Sequence, residues 1–161
     1  RQMCIRDSIK GDGYLDLTKV GKEAHNMAMK VISDGLCNVT EYYGLESTLY
    51  YPGLYAGATD MIALHNNRMT IIDFKQSNKP KKREWIEDYC LQLAAYGMAH
   101  DYMHKTQIDK AVIMMCTPDN FYQEFVIEGE EYRQYKYKWL GRVSKYYEQK
   151  QRTDANNEKT E

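Results

Sequence analysis

The segment between residues 39 and 76 constrains the fold most, because β-forming residues dominate three successive stretches of it. These stretches are residues 39–51, Ala56–His65 and Met69–Gln76. Pro52-Gly53 marks a turn after the first stretch. Asn66-Asn67 follows the second stretch, and asparagine tolerates the positive φ that a tight two-residue turn needs. The sequence therefore predicts three strands in a row, of which the last two form a hairpin.

Further helical and strand patterns flank these strands. Helices are predicted at about Lys19–Ser33, Glu84–Lys105 and Glu130–Lys150, and strands at Lys110–Cys116 and Tyr122–Ile127. Thr18 is a suitable N-cap for the first helix, and Gly35 is expected to end it. The element order is α-β-β-β-α-β-β-α, which predicts an α/β or α+β fold with a mixed sheet flanked by helices.

Length and charge narrow the classes of protein that are compatible with the chain. Its 161 residues suit one domain, and its net charge of -1 excludes a uniformly basic coat for nucleic acid. No apolar run approaches the roughly 20 residues that span a bilayer, so we expect no membrane partner. Four cysteines are scattered without a C-x-x-C pair, which favours free thiols in a reducing compartment.

The two ends of the chain differ from its centre. Residues 1–8 look like translated adapter sequence, and we interpret them as a non-native leader. The polar segment 151–161 lacks periodicity and is predicted to be a disordered tail. Residues 9–150 are predicted to form the single domain.

The hairpin brings charged residues together. With Asn66-Asn67 as a two-residue loop, Asp60 faces Asp73 across the two strands. Carboxylates in this position repel each other, and a divalent cation between them reverses that effect. Hard oxygen ligands suit Mg²⁺ or Mn²⁺. Lys75 lies two residues further along the same face of the strand, within reach of a phosphate oxygen.

An Asp-x-Lys triplet by itself is weak evidence for a site, because such pairs are more often solvated surface features. Ile71 and Ile72 indicate, however, that this strand is buried. An unpaired acid and lysine in a buried strand would be costly without a function. The context therefore favours an active site.

The chain resembles the PD-(D/E)XK nuclease superfamily, most closely its RecB-like exonuclease branch, which includes mitochondrial genome maintenance exonucleases and phage relatives. The resemblance covers roughly residues 20–100 and rests on Gly57-x-x-Asp60, Asp73-x-Lys75 and Gln92-x-x-x-Tyr96. It implies a restriction-endonuclease-like sheet, with Asp60 and Asp73 as metal-binding catalytic acids and Lys75 as the catalytic lysine. Thr59 replaces the proline of the superfamily's name.

The resemblance also implies a function. It predicts a Mg²⁺-dependent exonuclease, in which Mn²⁺ can substitute, that acts as a monomer on single-stranded or free-ended DNA. We expect it in the cytoplasm of a bacterium or a phage-infected cell, and a mitochondrial location is also compatible. Two alternatives keep the fold: a catalytically inactive DNA-binding module, and a structure-selective endonuclease that would favour a homodimer.

Two further residues match elements of this branch. His25, in Gly21-x-x-x-His25, is similar to a helical motif whose histidine reaches the metal. Glu46, followed by Ser47, corresponds to a catalytic glutamate that often occurs on the strand before the hairpin. A boundary histidine and a half-exposed strand glutamate are the structural alternatives for these two positions.

The remaining candidates follow the hairpin. Gln92 and Tyr96 share a helical stripe with Trp85 and Tyr89 that we interpret mainly as core packing. A polar glutamine in that stripe suggests contact with Lys75 or with the substrate backbone. A cluster of cations precedes the helix and is either a solvated loop or a DNA-binding segment that holds phosphates. The cluster consists of Lys79, Lys81, Lys82 and Arg83.

Overall fold

The computed structural model describes residues 18–157, so the predicted leader at residues 1–8 lies outside the described part. The helices are α1 (Lys19–Asp34), α2 (Glu87–His104) and α3 (Gly129–Asn157). The strands are β1 (Val39–Tyr51), β2 (Tyr55–His65), β3 (Arg68–Gln76), β4 (Lys110–Cys116) and β5 (Tyr122–Glu128). Short 3-10 turns occupy Leu36–Asn38 and Arg83–Trp85. The predicted order of helices and strands is confirmed.

The strands form one mixed sheet in the order β1-β2-β3-β4-β5. Antiparallel pairing joins β1 to β2, β2 to β3 and β4 to β5, whereas β3 and β4 are parallel. A parallel pair needs a long crossover connection, and α2 provides it. The predicted mixed sheet is therefore correct, with β3 at its centre.

Successive residues of each strand point to opposite faces of this sheet. Ile72 and Phe74 pack with Met27 and Val31 of α1 on one face. Ile71 packs with residues of α2 and α3 on the other face. Both isoleucines of β3 are fully buried, as their sequence context predicts. Helices cover both faces, which explains the near-continuous apolar sequence of the central strands.

The hairpin between β2 and β3 has the predicted two-residue turn. Asn66 and Asn67 have φ values of 49° and 60°, the left-handed geometry of a type I′ turn. Arg68 pairs with His65, so the predicted register is confirmed. The Asn66-Asn67 turn thus determines which residues of β2 and β3 lie opposite each other along the whole hairpin.

Two predicted helix boundaries are wrong. α2 begins at Glu87 rather than Glu84, because residues 83–85 form a 3-10 turn and Ile86 lies outside the helical region, with φ −114° and ψ 14°. α3 continues to Asn157, so residues 151–157 are helical where a disordered tail was predicted. Neither glycine nor proline interrupts that polar stretch, and the helix simply extends into solvent.

Within residues 18–157, none of the helices is long and apolar enough to cross a membrane. Cys37, Cys90 and Cys116 are free thiols, the first exposed and the other two buried. The expectation of unpaired cysteines therefore agrees with the described part of the chain.

Gly97 of α2 and Gly141 of α3 form a matched pair that tests the packing of the helices. A Cβ atom at Gly97 would overlap the buried Tyr132 hydroxyl, whereas one at Gly141 would meet no atom within 4 Å. Gly97→Ala should lower the free energy of unfolding by roughly 1–3 kcal/mol through overpacking. Gly141→Ala should raise it by roughly 0.5–1 kcal/mol through helix propensity. Urea unfolding measures both, and equal changes in the two variants would contradict the observed packing.

Candidate active site

Asp60 and Asp73 meet where the regular pairing of β2 with β3 ends. The last backbone pair before them is Met61 with Ile72. Beyond it, the Oδ2 atom of Asp60 accepts a hydrogen bond of 2.8 Å from the backbone N–H of Phe74. The Asp60 side chain thus bridges to β3 beside Asp73, as the sequence-derived register predicts.

The Asp73 carboxylate is held inside the protein next to Lys75. Asp73 is only 3% exposed, and its Oδ2 atom lies 2.6 Å from the Lys75 Nζ atom. Burial raises the pKa of Asp73 to about 7; the Lys75 ammonium opposes this rise, and the nearby Asp60 carboxylate adds to it. The Lys75 ammonium therefore offsets only part of the effect that burial has on the Asp73 carboxylate.

Tyr89 of α2 also contacts the lysine. The Lys75 Nζ atom lies 5.2 Å from the centroid of the Tyr89 ring, which is a cation–π distance. The sequence-based interpretation of Tyr89 as core packing therefore misses its contact with the site. Its side chain is half-buried, so the ring both packs in the core and orients the lysine.

Glu46 lies on β1 at the register position opposite Asp60, because the neighbouring residues of the two strands pair on both sides of it. Its φ is 49°, in the left-handed region that non-glycine residues rarely adopt. Such backbone strain costs about 1–3 kcal/mol and clusters at functional sites. The side chain is exposed. The structure therefore places the Glu46 backbone opposite Asp60, and its catalytic role stays a prediction.

Gly57 of β2 lies close to the Tyr96 ring of α2. A Cβ atom at Gly57 would lie 2.6 Å from Cε1 of the Tyr96 ring, so only glycine allows the helix this close to the strand. The Tyr96 hydroxyl accepts a 2.7 Å hydrogen bond from Gln92 Nε2. Gln92 and Tyr96 thus bind each other, and their contact with substrate stays a prediction.

His25 lies on α1, the helix that packs on the Phe74 face of the sheet. It is half-buried there, whereas Lys75 and Asp73 alternate with Phe74 and point to the opposite face. Among residues 18–157, no three His, Cys, Asp or Glu side chains cluster closely enough to hold an ion. The structure therefore does not assemble the expected metal ligands His25, Asp60 and Asp73, and a metal-binding role of His25 stays a prediction.

The basic turn, which we define as residues 77–86, connects β3 to α2 beside these residues. Gln123 of β5 fixes its centre with two hydrogen bonds. The Lys81 backbone N–H donates to Gln123 Oε1 at 2.7 Å, and Gln123 Nε2 donates to the Lys81 carbonyl oxygen at 3.0 Å. This reciprocal pair holds the backbone of the turn against the edge strand of the sheet.

The four predicted DNA-binding cations differ in their surroundings. The Arg83 guanidinium donates to the Glu131 carboxylate and, at 2.7 Å, to the Val126 carbonyl oxygen. Arg83 therefore anchors the turn to β5 and α3. In the part of the chain that the structure describes, the three lysines of the cluster form no ion pair. DNA binding by the cluster stays a prediction that fits the lysines better than Arg83.

The sequence interpretation missed the roles of two residues at the basic turn, Gln123 and Trp85. Gln123 lies 42 residues from Lys81 in the chain, and nothing in its local sequence indicates that contact. Trp85 is 59% exposed rather than part of the core stripe, because the 3-10 turn shifts it away from the helical periodicity. The four cations that precede Trp85 in the sequence could have indicated that it lies on the surface.

Comparison with known proteins identifies relatives by sequence. The human protein named mitochondrial genome maintenance exonuclease 1 is 32% identical over 122 residues, which cover 71% of this chain and 35% of the human protein. The mouse protein of that name is 29% identical over 126 residues, covering 74% of this chain and 37% of the mouse protein. This chain thus spans about a third of the length of these curated relatives. No family model matches it.

Comparison with solved structures identifies the fold. A crystal structure from Eubacterium rectale, of a protein assigned as an exonuclease, matches with a TM-score of 0.57 and 14% sequence identity. The match covers 80% of this chain and 51% of that one. Together with the sequence relatives, it confirms the resemblance to PD-(D/E)XK nucleases that the motifs indicate.

Gly57→Ala tests the contact that fixes α2 beside the site. The new methyl group would press on the Tyr96 ring, so we expect a loss of roughly 1–3 kcal/mol in the free energy of unfolding. Tyr96→Leu removes the ring and should relieve much of that loss when the two changes are combined. Urea unfolding of both single variants and the double variant measures the coupling. Strictly additive losses would contradict the contact.

Proposed function

We propose that this PD-(D/E)XK-type domain is the nuclease domain of a metal-dependent DNA exonuclease, which hydrolyses phosphodiester bonds in single-stranded or free-ended DNA. The observation that carries the proposal is the meeting of Asp60, Asp73 and Lys75 at one end of the β2–β3 pairing. The names of the sequence relatives support exonuclease action, and their greater length leaves room for contributions from outside this chain.

The two acids fit a hard divalent cation. They offer carboxylate oxygens, the ligands that Mg²⁺ and Mn²⁺ prefer, and Mg²⁺ usually binds one or two carboxylates and keeps several waters. Burial, and to a lesser extent the Asp60 carboxylate, raise the pKa of Asp73, so a cation bound beside it would favour its ionised form. A divalent cation here would supply Lewis-acid polarisation of the phosphate and favour ionisation of the attacking water.

Lys75 is suited to act on the reacting phosphate itself. Its ammonium is held by the Asp73 carboxylate and the Tyr89 ring, while its side chain keeps 18% exposure to solvent. A positive charge fixed in this way can orient the attacking water and offset the charge that develops on phosphate oxygens in the transition state. Because its partners hold it before substrate arrives, little reorganisation is needed during the reaction.

Metal binding can be measured without substrate. Adding Mn²⁺ should raise the melting temperature, because the ion binds the folded carboxylate pair and not the unfolded chain. Asp60→Asn and Asp73→Asn should each lose most of this shift. Asp109→Asn is the control, since Asp109 is an exposed carboxylate that pairs with Arg68 at 2.7 Å, away from the proposed site. Equal shifts in all variants would contradict a metal site at the two acids.

Substitution of the lysine tests catalysis. Lys75→Met keeps the apolar stem against Tyr89 but removes the charge, so we expect kcat to fall by roughly 10²–10³-fold. Lys145→Ala, an exposed lysine of α3, is the control and should leave the rate unchanged. Release of labelled nucleotides from linear single-stranded DNA with Mg²⁺ measures the rate, and EDTA should abolish it.

The same assay separates the alternatives. Digestion of linear DNA with no cleavage of closed circles supports the exonuclease. Nicking of circles would contradict it in favour of an endonuclease. Binding without products under any metal would contradict it in favour of an inactive DNA-binding module.

A further inference from the structure

Trp85 lies on the protein surface within the basic turn. Its side chain is 59% exposed, and exposed tryptophan rings are enriched at binding interfaces. The Nζ atom of Lys82 sits 5.6 Å from the indole centroid. A positively charged ammonium group therefore lies near the exposed ring.

The turn presents this ring in a fixed position. The Ser77 hydroxyl donates to the Lys79 carbonyl oxygen at 2.7 Å, and the Trp85 backbone N–H donates to the Lys82 carbonyl oxygen at 3.0 Å. Gln123 and Glu131 hold the same segment from β5 and α3, as described above. An aromatic ring that is ordered before binding loses little entropy when a ligand covers it.

The ring is also close to the proposed catalytic residues along the chain. Trp85 precedes Tyr89 by four residues, and the Tyr89 ring contacts the Lys75 ammonium at 5.2 Å. The basic turn itself starts directly after β3, which carries Asp73 and Lys75. The turn and the start of α2 are therefore joined directly to the strand and the helix that form the proposed site.

The charges around the ring favour a polyanion. Acids at the start of α2 are neutralised, since Glu87 pairs with Lys138 at 2.7 Å and Asp88 pairs with Arg142 at 2.8 Å. Glu84 is the one acid of the turn itself, and the Arg83 guanidinium is paired with Glu131. Within the described residues, Lys79, Lys81 and Lys82 are the cations of the turn that form no ion pair. Phosphates can therefore approach the lysines of the turn beside the exposed indole.

We propose that Trp85 stacks on an unpaired base of the nucleic acid while Lys79 and Lys82 contact the phosphates that flank this base. The inference rests on the proposed function, because it takes a nucleic acid strand as the substrate of this site. Every base has a face that can stack on an aromatic ring, but in a duplex those faces are already covered. The turn therefore selects single strands over blunt duplex ends and does so without reading sequence.

The two tryptophans of the chain make this stacking visible. Trp139→Phe leaves Trp85 as the single indole, and Trp139 packs edge-on against Tyr55, away from the basic turn. In EDTA, which prevents hydrolysis, a short oligodeoxythymidylate should quench the Trp85 emission. A fully abasic strand of equal length should bind through its phosphates and quench little. Equal quenching by both strands would overturn the inference.

Affinities measured in the same buffer provide a second readout. Trp85→Ala should weaken binding of the oligodeoxythymidylate by roughly 10-fold, and Trp85→Phe should restore most of it, since stacking needs a ring. Affinity for a blunt duplex should not change. Lys79→Ala combined with Lys82→Ala should reduce the salt dependence of single-strand binding by roughly 0.7 per lost phosphate contact. Unchanged single-strand affinity in Trp85→Ala would overturn the inference.

Hydrolysis assays with Mg²⁺ separate this inference from the proposed function. Base-dependent quenching without any cleavage products would support stacking by Trp85 and overturn the nuclease proposal. Cleavage without base-dependent quenching would support the nuclease and overturn the role of Trp85. Because circular dichroism reports folding of each variant, a misfolded protein is distinguished from a true loss of binding.

Discussion

The buried Asp73 carboxylate and its contact with Lys75 are the interaction on which the rest of the site depends. A carboxylate that is 3% exposed is expensive to keep in a protein unless it is paired. Asp73 and Lys75 are two residues apart on the central strand β3. Because side chains along a strand point to alternate faces, the two groups lie side by side on one face. The second acid, Asp60, brings another carboxylate to the same place and contributes to the raised pKa of Asp73, so the location suits a cation.

Segments that are distant in sequence position the groups around this pair. α2 crosses the face of β3 and brings the Tyr89 ring to the lysine, and the close approach of Tyr96 to Gly57 sets how near the helix lies. β5 and α3 in turn hold the connection between β3 and α2 through Gln123 and Glu131. Contacts from β5 and α3 therefore hold this connecting segment at Lys81 and at Arg83.

The errors in the sequence-based prediction have a common physical cause. Residues Trp85 and Tyr89 are spaced as on a helix, but a 3-10 turn at residues 83–85 interrupts that spacing and exposes the indole. The polar end of α3 gives no apolar periodicity, yet the helix continues because nothing in it breaks the backbone hydrogen bonds. Periodicity reports burial of a helical face, and it fails where a helix begins irregularly or extends into solvent.

The sequence by itself determined the order of the helices and strands, the hairpin register, and hence the meeting of Asp60 with Asp73. These depend on local contacts, since a two-residue asparagine turn fixes which residues of the adjacent strands face each other. Only the tertiary structure decided that α1, which carries His25, packs on the Phe74 face of the sheet and that Arg83 binds Glu131, 48 residues away. Such contacts follow from the way helices pack on the sheet, which local sequence patterns do not specify.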